Sequence, residues 1–334
     1  MMGIKWGVIG CGGVVRNVMG RALVEAKGSE FAAVMDVDAA RARTTAERFG
    51  VNKVYGKLDD LLGDEEIQAV YVATPVHLHK DVTLQAAQAG KHVLCEKPMA
   101  LDEDECQSMI EGCRECGVKL MVGFMMRFHV CHRKAKAMIE SGALGKLIYL
   151  RAQQCYRYPP TPGAWRQQQR YSGGGSITDA GSHCIDLIRF LVGEEVRKVA
   201  AFTGNLAFDY EVEDTATLLM QFASGVQGIV DACYSTPDGS TEDRLEVYGT
   251  KGSLVTRHTV TSTPAGEMDI HLNGKSEAFR YEPVDLYIQQ VEEFMRCIAE
   301  DREPAVTGED GLRTQQIMSA AYTSAAESRI VELC

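Results

Sequence analysis

Gly7-Val8-Ile9-Gly10-Cys11-Gly12-Gly13-Val14-Val15 ends a short apolar run and opens an amphipathic one. Glycines at such a junction let the main chain turn tightly and approach a bulky anion. The helix that follows offers free N–H groups and a partial positive charge to phosphates. Gly10 permits the turn, and Gly12 removes the Cβ that would block a pyrophosphate. Val15 stands where this fingerprint usually has Gly or Ala, so its branched side chain is expected to push the helix slightly off the strand unless a neighbouring small residue makes room. Asp36 ends the second apolar run, in Val34-Met35-Asp36-Val37-Asp38. A carboxylate there accepts both ribose hydroxyls of an adenosine and repels a 2′-phosphate. The expected contacts of a dinucleotide are Gly10, Gly12, Gly13, Val14, Asp36 and Val37. NAD is favoured, and Arg41 and Arg43 just beyond leave NADP open. Asp38 reads as a helix N-cap.

Asp179 and His183 are four residues apart in the helical segment Ser176–Leu191, which places them on one face about one turn apart. A neutral histidine suits the role of general base toward a hydroxyl, and a nearby carboxylate can orient its ring. The same spacing also fits a helix N-terminal acid beside a structural core histidine. Tyr156-Arg157-Tyr158-Pro159-Pro160-Thr161-Pro162-Gly163-Ala164-Trp165-Arg166 combines aromatic rings, arginines and stiffening prolines. Aromatic faces against sugar C–H surfaces and arginine donors toward hydroxyls are what a carbohydrate pocket requires. Tyr156, Tyr158, Trp165 and Arg166 are the candidate substrate contacts, together with Asp179 and His183; the bland alternative is a packed surface loop. Cys113-x-x-Cys116 and His77-x-His79 have pair spacings that metals use, yet neither has further ligands in view, so no metal is expected. His77 and His79 are expected to cap the following helix or to line the dinucleotide site.

These residues sit in a regular framework. Strand-like runs at Ile4–Ile9, Phe31–Met35, Ala69–Ala73 and His92–Cys95 alternate with helical segments near Val14–Ala26, Ala39–Phe49 and His79–Ala89. Apolar strands alternating with helices imply a parallel sheet covered on both faces. A further helix starts at Asp102, with Glu105 at capping-box spacing, and Lys119–Gly123 reads as another strand. Beyond Gly123 come a helix at His132–Ser141, then long strands at Leu147–Tyr158, Val196–Phe208, Thr215–Phe222, Gly225–Ser235, Glu242–Tyr248 and Ser253–Thr259. Helices at Leu286–Glu300 and Glu309–Ala326 close the chain. The expected fold class is α/β: an N-terminal Rossmann dinucleotide-binding domain over residues 1–124, then an α+β domain with a mostly antiparallel sheet over residues 125–334. The second domain is expected to bind substrate and to mediate oligomerisation.

The 334 residues suit two domains. A net charge of −11, with no run of Lys or Arg, argues against nucleic acid. No apolar stretch approaches the ~20 residues that cross a bilayer, so no membrane partner is expected. The N-terminus lacks the charged-then-apolar shape of a signal peptide, and the eleven cysteines are irregularly spaced. A cytoplasmic location with reduced thiols is the expectation.

Two further motifs identify a relative. Ala73-Thr74-Pro75-Val76-His77-Leu78-His79 ends one strand and Cys95-Glu96-Lys97-Pro98 ends the next. With Gly173-Gly174-Gly175-Ser176-Ile177-Thr178-Asp179-Ala180-Gly181-Ser182-His183 and the tail Arg302–Gly311, they resemble the glucose-fructose oxidoreductase/inositol dehydrogenase/MocA (Gfo/Idh/MocA) family over essentially the whole chain. The resemblance implies an NAD(P)-dependent dehydrogenase acting on CH–OH groups. Thr74, Pro75, His77, Glu96 and Lys97 would border the cofactor, and Lys97, Asp179 and His183 would form the catalytic set. A cation beside the carbinol oxygen stabilises the alkoxide that develops as hydride leaves, and family resemblance gives Lys97 that role. Pro98 is a candidate to follow a cis peptide. Members with histidine at the position of His183 point to a cyclic polyol or sugar, inositol-like or aldose-like, as the substrate. Two alternatives stay open: a redox-neutral, NAD-retaining glycosidase or oxidoreductase, and a non-catalytic NAD- and sugar-sensing protein. A homodimer or homotetramer is implied by resemblance alone.

Overall fold

In the computed structural model, residues 3–237, 239–241 and 243–333 are described. Strand β1 (Ile4–Ile9) leads through a π turn (Val15–Met19) into α1 (Gly20–Glu25). There follow β2 (Ser29–Met35), α2 (Ala39–Phe49), β3 (Lys53–Tyr55), α3 (Leu58–Leu62), β4 (Ala69–Val72), α4 (His79–Gln88), β5 (His92–Cys95), α5 (Glu103–Glu115) and β6 (Leu120–Val122). Next come α6 (Val130–Glu140), β7 (Leu147–Cys155), α7 (Gln169–Ser172), a second π turn (Ile177–Gly181), α8 (Ser182–Val192), β8 (Val196–Gly204), β9 (Thr215–Phe222) and β10 (Gln227–Cys233). The chain ends with β11 (Arg244–Gly249), β12 (Gly252–Arg257), β13 (Glu267–Leu272), β14 (Lys275–Ala278), α9 (Leu286–Ala299), α10 (Gly308–Glu327) and β15 (Val331–Glu332).

Two compact units result: Met1–Phe124 with Tyr287–Leu312, and Met125–Leu286 with Arg313–Cys334. The return of Tyr287–Leu312 to the first unit departs from an uninterrupted domain over 125–334. Packing explains it: α9 carries the buried Val291 and Phe294, and the Phe294 ring lies 5.7 Å from that of Trp6 on β1.

The first unit holds a six-stranded sheet of order β3-β2-β1-β4-β5-β6, with every pair parallel. All four residues of β4 are buried, as a strand covered on both faces requires. The order reverses between β1 and β4, the switch point where doubly wound sheets bind ligands. Caps set the helices in place. Asp38 Oδ1 accepts from the N–H groups of Ala40 and Arg41 at 3.0 and 3.1 Å, and Asp102 Oδ1 accepts from Glu105 N–H at 2.8 Å. The short β3 and α3 have too few residues to show a period, and sequence analysis did not find them.

The second unit holds a nine-stranded sheet of order β14-β13-β12-β11-β7-β10-β9-β8-β15. Only β7 and β10 pair in parallel. Burial alternates along β9 and β10, which puts one face against α8 and leaves the other open. Two long strands are shorter than expected. β8 stops at Gly204 because the Asp214 carboxylate takes the N–H groups of Leu206, Ala207 and Phe208 at 2.8–3.1 Å. β7 stops at Cys155, ahead of Pro159 and Pro160. The strand expected from Glu242 runs from Arg244, and Glu242 itself lies outside the described residues. β13, β14 and the terminal β15 were also missed; β14 is exposed throughout, so it has no alternating pattern to read.

Candidate active site

The glycine-rich loop begins where β1 ends. Gly10 donates its N–H to Met35 O at 2.8 Å and has φ +93°. A Cβ there would fall 2.7 Å from Ala73 O, so the turn excludes any side chain. Gly12 differs: a Cβ built on it meets nothing within 4 Å, and the open space lies beside the start of a helix. Gly13 is equally open, with only Asn17 Nδ2 at 3.9 Å. Val14 is half-buried and Val15 fully buried. The branched Val15 opens a widened turn, closed by Gly20 N–H to Val15 O. A Cβ on Gly20 would sit 2.4 Å from the Phe49 ring, so glycine there lets α2 pack closely.

Asp36 is buried at the end of β2. Its Oδ2 accepts Cys11 N–H at 2.8 Å and its Oδ1 accepts Asp38 N–H at 2.9 Å. The carboxylate is thereby fastened to the glycine loop, and Arg41 Nη1 is a second donor to Oδ1, at 3.5 Å. Arg41 Nη1 stands 3.4 Å from Oδ2. Val37 is 87% exposed, next to that carboxylate.

The β4 end is tied to β1 by Ala73 N–H to Ile9 O at 2.8 Å. Thr74, Pro75 and His77 follow, half-buried. Thr74 Oγ1 is buried with no hydrogen-bond partner among the described residues. Neither histidine caps α4, whose N-cap is Leu78 with no side-chain hydrogen bond. His79 bridges two loops instead, with Nε2 2.9 Å from Thr74 O and Nδ1 3.0 Å from Pro98 O. Burial lowers its pKa. After β5, Glu96 Oε1 accepts the Tyr71 hydroxyl and Glu96 Oε2 accepts Lys97 N–H at 3.2 Å. The Lys97–Pro98 peptide is cis. An open cradle at Gly12 and Gly13, a buried acceptor carboxylate at Asp36 and an orphaned hydroxyl at Thr74 fit a dinucleotide.

In the second unit Asp179 is the hub. It lies in the π turn Ile177–Gly181, closed by Gly181 N–H to Ser176 O at 2.8 Å. The expected regular α-helix therefore begins only at Ser182. Asp179 Oδ2 accepts the Tyr156 hydroxyl at 2.6 Å and the Tyr234 hydroxyl at 3.0 Å, with Arg166 Nε at 3.8 Å. Burial first, then the Asp179 charge, pushes both phenols well above their ordinary pKa, so they stay protonated donors. The Tyr158 ring meets Tyr234 edge-on at 5.1 Å, and the Arg166 guanidinium lies 4.4 Å from the Trp165 ring centroid. All four expected aromatic and arginine contacts thus gather around Asp179. His183 is buried in the first turn of α8.

Sequence reasoning missed Tyr234 and Glu213. Tyr234 follows β10 directly, and its continuing alternation with the buried Val230 and Ala232 was the available signal. Glu213 accepts the N–H groups of Gly175 and Ile177 at 2.9 and 2.8 Å and the Tyr322 hydroxyl at 2.9 Å, which fixes the start of the Asp179 turn. No local pattern announces it. Arg127 and Asp186 form a buried two-contact ion pair at 2.9 and 2.6 Å, a structural role for Asp186. Among the described residues no group of three or more His, Cys, Asp or Glu is placed to hold a metal ion, and no helix is long and apolar enough to cross a membrane.

The sequence profile for an oxidoreductase family with an NAD-binding Rossmann fold matches residues 4–124, and that for the GFO/IDH/MocA C-terminal domain matches residues 132–255. A 1,5-anhydro-D-fructose reductase of Ensifer adhaerens is 31% identical over 331 residues, covering 98% of each chain. A myo-inositol 2-dehydrogenase of Thermotoga maritima is 31% identical over 312 residues, 90% of each. The crystal structure of aldose-aldose oxidoreductase from Caulobacter crescentus, complexed with glycerol, is 30% identical with a TM-score of 0.91, over 99% of this chain and 100% of that one. With the glycine cradle and the Asp179 hub in place, these matches along its length make the chain a member of the Gfo/Idh/MocA family of oxidoreductases, carrying an NAD(P)-binding Rossmann domain.

Proposed function

We propose that this protein is an NAD-dependent dehydrogenase that oxidises a secondary alcohol of a cyclic polyol or a sugar, or reduces the corresponding ketone. The observation that carries the reading is the Asp179 hub, where one carboxylate oxygen meets Tyr156, Tyr234 and Arg166 among aromatic rings. In this reading His183 removes the hydroxyl proton, Asp179 orients and polarises it, and Lys97 steadies the oxygen as charge develops. Tyr156, Tyr158, Trp165 and Arg166 contact the sugar. When bound, nicotinamide supplies the hydride acceptor at its C4. Gly10, Gly12, Gly13 and Val14 cradle the pyrophosphate, Asp36 and Val37 border the adenosine ribose, and Thr74, Pro75, His77, Glu96 and Lys97 border the nicotinamide half. The two-point anchoring of Asp36 supports NAD over NADP, because a 2′-phosphate would meet a fixed carboxylate, while Arg41 beside it leaves NADP open. The relatives that act on an anhydrosugar and an inositol support the substrate class.

The likeness to an aldose-aldose oxidoreductase favours a second reading, a redox-neutral exchange between two sugars with the cofactor retained. One assay separates them. Inositols and aldoses are offered singly and in pairs with NAD or NADP, and NADH absorbance and sugar products are followed. NADH accumulation with a single polyol or aldose supports the dehydrogenase; paired sugar products without NADH support the exchange. No turnover with any of them rejects both. The reading includes a homodimer or homotetramer, which the family resemblance alone implies.

A further inference from the structure

Cys155 and Cys233 are register partners at the ends of the adjacent parallel strands β7 and β10. Register partners send their side chains to the same face. Neighbouring strands lie about 4.8 Å apart, inside the ~4.4–6.8 Å Cα separation that a disulfide spans. Both thiols are partly exposed, whereas most other described cysteines are buried. Cys155 Sγ lies 4.0 Å from Asp231 O. Cys233 Sγ lies 3.4 Å from Thr215 Oγ1 and 3.3 Å from Ser235 Oγ.

We propose that Cys155 and Cys233 are a peroxide-reactive dithiol that closes a reversible cross-strand disulfide on the sheet face opposite the Asp179 hub. The Cys233 sulfur attacks the O–O bond of hydrogen peroxide, forming a sulfenic acid and releasing one oxygen as water. The Cys155 sulfur then attacks the sulfenic sulfur, the S–S bond forms, and the second oxygen leaves as water. Two thiols and one peroxide become one disulfide and two waters, so two electrons pass from sulfur to oxygen. A dithiol reductant returns both thiols by exchange. The division of labour follows from the contacts: the Thr215 and Ser235 hydroxyls at 3.4 and 3.3 Å can donate to a Cys233 thiolate, whereas Cys155 Sγ faces the Asp231 carbonyl, an acceptor. Cys233 is therefore the nucleophile and Cys155 the resolving partner.

The position gives the pair a consequence. Tyr156 follows Cys155 and Tyr234 follows Cys233, and these are the two hydroxyls that hold Asp179. A bond between the two strand ends acts on both donors at once. This effect on turnover rests on the dehydrogenase reading; the disulfide does not.

The test treats reduced full-length protein with hydrogen peroxide and maps peptides without reduction. The expected result is an intact mass lower by two hydrogens and one bridged peptide pair containing Cys155 and Cys233, both reversed by dithiothreitol. In Cys155→Ser the bridge is lost and a sulfenic-acid trap labels Cys233. Oxidation confined to Cys116, or a bridge from either residue to Cys184, overturns the proposal, and the wild-type map decides this even if a variant fails to fold. Turnover is read on the same samples. A loss of about tenfold, the equivalent of one charged hydrogen bond, recovered on reduction, supports the coupling to Asp179. Full turnover in bridged protein overturns the coupling, and absent turnover in reduced protein counts against the dehydrogenase reading alone.

Discussion

Tyr156 donates its hydroxyl to Asp179 across 2.6 Å, and it does so from the first residue beyond β7. Tyr234 makes the matching contact from just beyond β10. Hydrogen bonds to a charged group are worth about 1.5–3 kcal/mol, so the two phenols fix the Asp179 carboxylate in place. In Tyr156→Phe and Tyr234→Phe we expect kcat to fall about tenfold or more, a loss of that size at the barrier. Steady-state kinetics on the two variants check this; an unchanged kcat would leave the phenols with a packing role only.

Gly10 and Gly12 make a discriminating pair. Gly10→Ala places a Cβ 2.7 Å from Ala73 O at a left-handed backbone position, and should destabilise the fold by about 1–3 kcal/mol. Gly12→Ala meets no protein atom, so its thermal midpoint should stay near wild type while its NAD affinity falls. Thermal unfolding with and without NAD measures both. Equal NAD stabilisation of wild type and Gly12→Ala would remove the loop from the cofactor site.

Buried histidines set a pH dependence of stability. Burial lowers His129 to about 4, and burial together with the neighbouring His129 lowers His132 to about 3. Between an unfolded value of about 6.5 and these folded values, the unfolded chain binds protons that the folded chain does not. Stability is therefore full above pH 6.5 and falls as the pH drops, by about 1.4 kcal/mol per pH unit for each histidine. Urea midpoints at pH 7 and pH 5 should show the fall, and His132→Gln should flatten it. A midpoint insensitive to pH across that window would contradict the assignment.

Much of this was legible because it is written locally. The strand–glycine–helix junction at Gly10, the acid ending β2 and the caps at Asp38 and Asp102 each need fewer than ten residues to define. The aromatic run from Tyr156 to Arg166 was legible as composition, though its convergence on Asp179 was not. What was hidden depends on contacts between distant residues. Tyr234 reaches Asp179 across 55 positions, Tyr322 reaches Glu213 across 109, and α9 joins the first unit because Phe294 meets Trp6. The two π turns were hidden for another reason. Each inserts one residue into an apolar helical pattern, and the pattern still reads as a regular helix. Val15, a branched residue at a position that usually holds Gly or Ala, was the one clue to the first of them.

The most direct test of the account measures kcat and NAD affinity together in Lys97→Met and His183→Ala, with the best substrate of the polyol and sugar panel. The account predicts that each substitution lowers kcat by about 10²–10⁴-fold, the range of a lost acid–base or charge-stabilising group, while the NAD dissociation constant stays near its wild-type value. Wild-type kcat in either variant would contradict it.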